Sequence, residues 1–306
     1  MAETDQSRSL LATLPMSARR RVQLQACWEL TKPEITFQVT LSALAGYLLG
    51  TPDALNGWHL LGTLTGIGLT AAGVGVLNHY MERDYDAAMR RTARRPLPSG
   101  RVSPTTARYL GIFLVIAGVG LLCPVANALT AALAIATVLL YLYVYTPLKR
   151  RTKYNTLIGT IPGALPALGG WTAATNNLDM GGWTLFAILA VWQMPHFLSL
   201  AWMYRKDYER AHYQMLPVVE PDGRSTAWQT LGFTALLLPL GISPYLAGVA
   251  GPIYLVGAVI LGLYFLRPAI AFFRTRHAHD ARRVLIASVV YIPALTGLIV
   301  VDWLLR

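Results

Sequence analysis

Asn78, Glu82 and Asp86 recur at four-residue intervals, directly after the apolar run from Leu60 to Leu77. A helix turns about 100° per residue, so each four-residue step drifts only about 40° and one face carries all three. A carboxamide and two carboxylates stacked in this way offer oxygen ligands, the donor type that suits a hard cation such as Mg²⁺. Arginines crowd around the acids: Arg83 among them, then Arg90, Arg91, Arg94, Arg95 and Arg101. Guanidinium forks match phosphate oxygens. An acid face beside a guanidinium cluster is the layout expected of a diphosphate site. The plainer reading is a solvated loop after an apolar helix. Strict spacing, and the expense of carboxylates so close to lipid, favour a site.

Three further stretches carry chemistry. Tyr145, Lys149 and Arg150 close an apolar segment in the run Y-T-P-L-K-R-R-T. Arg151 and Lys153 read as an ordinary basic stop, whereas Lys149 and Arg150 are placed to reach a diphosphate. His196 lies within W-Q-M-P-H-F-L-S-L-A-W, inside another apolar segment. An imidazole there is expensive enough to be a functional candidate, with a bond to a carbonyl freed by Pro195 as the structural alternative. His79 is a weaker candidate, and His277 and His279 read as solvated. Asp207 and Lys206 belong to R-K-D-Y-E-R-A-H-Y-Q-M-L-P-V-V. Glu209 would face away from Asp207 on a helix.

These residues need elements to hold them, and composition says which kind. The chain has 306 residues, 54% hydrophobic and 13% charged. That balance, with mean hydropathy +0.44, belongs to a polytopic membrane protein. Segments of about 20 apolar residues span a bilayer. Nine candidates follow, near 35–51, 58–77, 109–123, 125–146, 156–175, 182–204, 228–249, 252–272 and 284–304. Lysines and arginines fall in alternate loops, so the N-terminus and the longer loops are expected in the cytoplasm. The net charge of +11 is thereby explained by topology and calls for no nucleic acid. Cys27 and Cys123 cannot form a disulfide framework. Residues 1–27 read as a polar, basic and flexible segment without the pattern of a secretory signal, and 28–306 as one transmembrane domain. The expectation is an all-α fold, nine transmembrane helices around a central cavity open to the cytoplasmic side. The one-sided polar motifs argue against a transporter, which places polar groups near the midplane.

N-x-x-x-E-x-x-x-D followed by R-T-x-x-R-P-L resembles the first signature of the UbiA-type intramembrane prenyltransferases. Tyr145-x-x-x-Lys149-Arg150 is similar to the corresponding loop of that superfamily, and the Arg205–Val219 stretch corresponds to its second aspartate motif. W-x-x-P-H-F and D-Y-x-R-A-x-x-x-M-L-P resemble the haem-farnesylating branch. Leu30–Ile35 resembles the family's entry to its first helix and Ala287–Tyr291 its last helix. Two departures stand out. Most aromatic prenyltransferases of the superfamily show D-x-x-x-D in the second motif, where Ala211 follows Asp207 here, and the middle acid of the first motif is Glu82, not Asp. Both imply fewer metal ligands.

The resemblance implies farnesyl transfer from farnesyl diphosphate to a vinyl group of haem b, with addition of water and release of diphosphate. It implies Mg²⁺ on Asn78, Glu82, Asp86 and Asp207, with His196 joining them as a catalytic residue that ligates haem iron or steers a proton. Arg91, Arg95, Lys149, Arg150, Lys206 and Tyr145 would bind the diphosphate or the haem propionates. The implied setting is a bacterial cytoplasmic (inner) membrane, with the lipid bilayer as surroundings and haem A synthase as a candidate partner. A quinone-precursor aromatic prenyltransferase and a non-catalytic transporter or haem-binding assembly protein are the alternatives.

Overall fold

Long runs of Leu, Ile, Val and Ala have no water to satisfy their backbone in a membrane, so each run closes its own hydrogen bonds as a helix. The computed structural model describes residues 15–51 and 55–305; the first 14 residues, part of the 52–57 loop and Arg306 lie outside them. Among the described residues the secondary structure is helical. In chain order the helices are α1 (Met16–Leu30), α2 (Pro33–Leu49), α3 (Gly57–Ala88), α4 (Pro104–Val125), α5 (Ala128–Leu148) and α6 (Asn155–Thr175). There follow α7 (Met180–Met203), the short α8 (Arg205–Arg210) and α9 (Leu216–Val219), then α10 (Arg224–Leu246), α11 (Pro252–Thr275) and α12 (Ala278–Leu304). Six of them, α3, α4, α5, α7, α11 and α12, are long and apolar enough to cross a membrane.

Each expected apolar segment coincides with a helix, but the ends differ. The second was expected to stop near residue 77; α3 runs on to Ala88, so the whole acid motif stays on one continuous helix. Nothing in Asn78–Ala88 breaks a helix, and the polar face is carried inward. The expected boundary between N-terminal segment and domain, at 27/28, falls inside α1, whose Ala26 and Leu30 are buried with Val76 and Leu97. Asn56, Ser103 and Asn127 cap α3, α4 and α5 by accepting backbone N–H groups.

Helix α3 packs along α4, α2 along α6, and α11 against both α10 and α12, with α7 touching α6, α10 and α12. Small residues permit the closest approach. A Cβ at Gly46 would stand 2.0 Å from the Ala167 carbonyl oxygen, and one at Gly170 1.9 Å from that of Ala43, so α2 and α6 meet backbone to backbone. The largest core cluster, with Ile188, Trp192, Tyr254, Phe265, Tyr291 and Leu295, lies among α7, α11 and α12. Within α5, Leu140–Tyr145 is a π turn. Thr146 donates both its backbone N–H and its hydroxyl, the latter at 2.8 Å, to the Tyr141 carbonyl, which closes the wide turn.

Candidate functional site

Asn78, Glu82 and Asp86 line the buried face of α3, at 1%, 6% and 1% exposure. A polar group this deep needs a partner, and each has found a cation. Lys32 donates from Nζ to Asn78 Oδ1 at 2.7 Å. Lys149 donates from Nζ to both Glu82 oxygens, at 2.8 and 3.1 Å. Arg95 donates to both Asp86 oxygens, at 2.7 and 2.8 Å. Neutral groups complete the set. Asn78 Nδ2 donates to Glu82 Oε2 at 3.0 Å and to Thr146 Oγ1 at 3.2 Å, and the Tyr213 hydroxyl donates to Glu82 Oε1 at 3.1 Å. His79 Nδ1 stands 3.7 Å from Asp86 Oδ2.

The elements that deliver these partners are far apart in sequence. Lys32 has the left-handed conformation (φ 50°) directly before Pro33, where the chain turns from α1 into α2. Burial, and then the Arg95 charge, push its ammonium down to about 7, partly offset by Glu82 and Asp86. Lys149 follows the π turn. Burial would lower its pKa, but the Glu82 carboxylate outweighs burial and holds it well above the ordinary lysine value. Its ammonium also lies 4.7 Å from the centre of the Tyr145 ring. Tyr213 comes from the loop after α8, and burial followed by the Glu82 charge raises its phenol.

Of the other candidates, Arg91 donates to the Tyr208 hydroxyl at 2.6 Å and lies 5.0 and 4.8 Å from the Tyr204 and Tyr208 ring centres. Arg150 bonds the Tyr85 hydroxyl and stacks over its ring. Two hydrogen bonds through Gln214 tie the loops together. Gln214 N–H donates to Lys149 O at 2.8 Å, and Asn155 Nδ2 donates to Gln214 O at 2.9 Å. Met89, Ala201, Ala211, Tyr213 and Met215 form an apolar floor below them. The first, second and fourth sequence motifs therefore do converge. Asp207 pairs with Arg210 at 2.8 Å, Lys206 is exposed, and Glu209 is exposed as its helical position required. His196 sits on α7, hydrogen-bonded through Nδ1 to Ser288 Oγ at 2.8 Å.

An apolar groove leads away from this polar cluster. Its mouth cavity, about 490 Å³, is lined by Lys32, Thr36, Gly75, Thr137, Tyr141 and Gly163 among others. A second cavity of about 330 Å³ continues past Val39, Ala71, Thr137 and Pro166, which both share, to Ile67, Thr130 and Gly169. One end of the groove is cationic and the remainder is almost wholly apolar.

The oxygen groups fit a cation site in their chemistry, because each is an oxygen donor that already accepts from a protein cation. Asn78 Oδ1 and the Glu82 and Asp86 carboxylates would be the ligands. Among the described residues no three His, Cys, Asp or Glu side chains converge as a metal-binding group, so the carboxamide would have to serve as the third ligand.

Residues 39–291 match the model of the UbiA prenyltransferase family. The chain belongs to this family. A UbiA-family fold is also what solved structures resemble: a digeranylgeranylglyceryl phosphate synthase superposes with TM-score 0.76 at 17% identity, covering 93% of this chain and 99% of that one. A UbiA homologue from Archaeoglobus fulgidus, bound to DMAPP and Mg²⁺, superposes with TM-score 0.63 at 17% identity, covering 90% and 99%. In sequence the chain is 63% identical over 276 residues to the protoheme IX farnesyltransferase of Salinibacter ruber, covering 90% of this chain and 98% of that protein. It is 46% identical to the enzyme of the same name from Solibacter usitatus, covering 90% and 97%.

Sequence reasoning missed Lys32, Thr146 and Tyr213 as members of this candidate site. The family-like T-K-P entry contained the signal for Lys32, since a lysine directly before a helix-starting proline lies at the mouth of the bundle. Tyr213 carried only a weak signal, as a tyrosine in an otherwise polar loop.

Proposed function

We propose that the chain transfers the farnesyl group of farnesyl diphosphate to a vinyl group of haem b, with water addition, giving haem O and diphosphate. One observation carries this reading: a buried stack of three oxygen groups, each matched by a cation, opens straight into a long apolar groove. Such a site suits an amphiphile with an anionic head and a hydrocarbon tail, and the protoheme IX farnesyltransferases to which the chain is similar take one.

The diphosphate lies at Lys32, Arg95, Lys149 and the nearby Arg91 and Arg150, and the prenyl tail runs along Val39, Ala71 and Thr137. Asn78, Glu82 and Asp86 would hold Mg²⁺, which would neutralise charge on the diphosphate; the A. fulgidus neighbour is bound to DMAPP and Mg²⁺. The C–O bond of the farnesyl ester breaks with its electron pair leaving on the diphosphate. Lysine and arginine charges stabilise this step more as the bond ionises. The haem vinyl group attacks the allylic carbon, forming the new C–C bond. The cation left on the porphyrin side takes the oxygen of water, and one proton is released. Apolar walls keep water from the allylic cation before attack. His196, with the aromatic rings of Trp192, Phe197 and Trp202 nearby in sequence, serves the haem half. Asp207, held by Arg210, is a diphosphate-side group that acts through its loop. The protein spans an inner membrane nine times, with the N-terminus and the reactive loops cytoplasmic.

Purified protein supplied with haem b, farnesyl diphosphate and Mg²⁺ should yield haem O by mass spectrometry. Glu82→Gln and Asp86→Asn should each cut turnover at least about 100-fold, the scale for loss of a key electrostatic group. A prenylated aromatic acid in place of haem O would favour the quinone-precursor reading.

A further inference from the structure

Two contacts between α7 and α12 meet at one residue outside the diphosphate site. Ser288 Oγ lies 2.8 Å from His196 Nδ1, and the same hydroxyl donates to the Leu285 carbonyl at 2.6 Å. The Trp192 indole N–H donates to the Ser288 carbonyl at 2.8 Å, one helical turn before His196, and its ring stacks on the imidazole at 5.1 Å and 27°. Phe197 meets the imidazole edge-on at 5.2 Å. Ser288 itself is fully buried.

A serine hydroxyl has one proton to give. Its short bond to a carbonyl, which can only accept, uses that proton. What remains toward His196 is a lone pair, so the imidazole must be the donor and Nδ1 must carry hydrogen. In a neutral ring this leaves Nε2 as the bare nitrogen. Among the described residues Nε2 has no hydrogen-bond partner, nor is it among the buried polar atoms sealed without one.

We infer that Ser288 is the positioning residue of His196: it fixes the Nδ1–H tautomer and so presents the Nε2 lone pair, beside two aromatic rings, as the working face for a flat substrate's metal or for a proton. That this substrate is haem b rests on the function proposed above; the tautomer assignment does not. A hydrogen-bond partner that fixes a ring nitrogen in this way typically changes the function of its histidine 10–100-fold.

The test uses full-length protein in nanodiscs with [¹⁵N]histidine, His196 being assigned by the signal lost in His196→Gln. Wild type at neutral pH should show a protonated Nδ1 and a bare Nε2. Ser288→Ala keeps the backbone carbonyl that binds Trp192, yet should give a mixture of tautomers or the Nε2–H form. It should also lower kcat about tenfold, leaving the KM for farnesyl diphosphate within about twofold, and Ser288→Thr should restore most of both. A Ser288→Ala protein that keeps the pure Nδ1–H signal overturns the inference, as does one with wild-type kcat. Failure of wild type to convert haem b would defeat the functional reading instead, without touching the tautomer result.

Discussion

Replacing Lys149 by methionine removes a charge but little volume, and the structure sets the expected consequence. Glu82 and Lys149 are 9% and 15% exposed at the side chain and joined by two hydrogen bonds. Breaking such a pair by removing one partner costs about 3–5 kcal/mol, because the other charge stays buried. Asn78 and Tyr213 still donate to the carboxylate in Lys149→Met, so the low end, about 3 kcal/mol, is the better figure. At about 2–4 °C per kcal/mol, the melting temperature should fall by roughly 6–12 °C. Adding Glu82→Gln to the same protein removes the orphan charge, and about 2 kcal/mol should return. Tryptophan fluorescence during thermal unfolding in detergent follows all four proteins of the cycle, and Glu82→Gln alone measures the reverse orphan. A Lys149→Met protein within about 1 kcal/mol of wild type, or a double variant no more stable than Lys149→Met, would refute the pairing as an energetic unit.

Lys32 supplies a pH signature. Its folded pKa, about 7, lies below its ordinary 10.5, so folding sheds its proton between those values. Unfolding free energy should therefore gain from this group as pH rises from 7 toward 10.5, and that contribution is lost as pH falls through 7. An arriving diphosphate should draw the proton back, so affinity should weaken above pH 7 and Lys32→Arg should flatten the profile; calorimetry in buffers of different ionisation heat reads the uptake, and identical profiles would exclude the role. Gly169 lines the far cavity with only Ile67 Cδ1, at 3.7 Å, near its missing side chain. Gly169→Leu should plug that end, raise the KM for farnesyl diphosphate about tenfold and spare geranyl diphosphate, as competition kinetics would reveal; equal effects on both chains would mean that the tail lies elsewhere. A cysteine placed at Arg94 should resist impermeant thiol reagents added to intact cells, and labelling from outside would reverse the orientation.

How much of this was legible beforehand depended on range. The acid face was readable because Asn78, Glu82 and Asp86 obey helical spacing, and α3 carries them as that spacing requires. The arginine-rich tail was readable as anion-seeking, yet which arginine meets which acid was not: Arg95 takes Asp86 while Arg91 goes to Tyr208. Partners remote in sequence had no local pattern to announce them. Lys32 is 46 residues from Asn78, and Tyr213 is 131 from Glu82. Asp207 reads as an acid for metal from its motif, and its ion pair with Arg210, one helical turn along, was not announced by that motif. Ser288 was visible only as part of a family-like last helix, since a serine among Ala, Val and Tyr gives no hint of the imidazole it meets.

The π turn in α5 changes how that helix can be used. A column of side chains taken every fourth residue winds off an ordinary α-helix by about 40° per step. Thr137, Tyr141, Tyr145 and Lys149 form such a column, and over three steps it would swing by roughly 120°. A wider turn between Leu140 and Tyr145 takes up one more residue and winds that drift back. The helix thereby works as a phase corrector: one seam of side chains begins with Thr137 in the hydrocarbon groove and ends with Lys149 on the carboxylate of Glu82. Oil and electrolyte are served by a single edge.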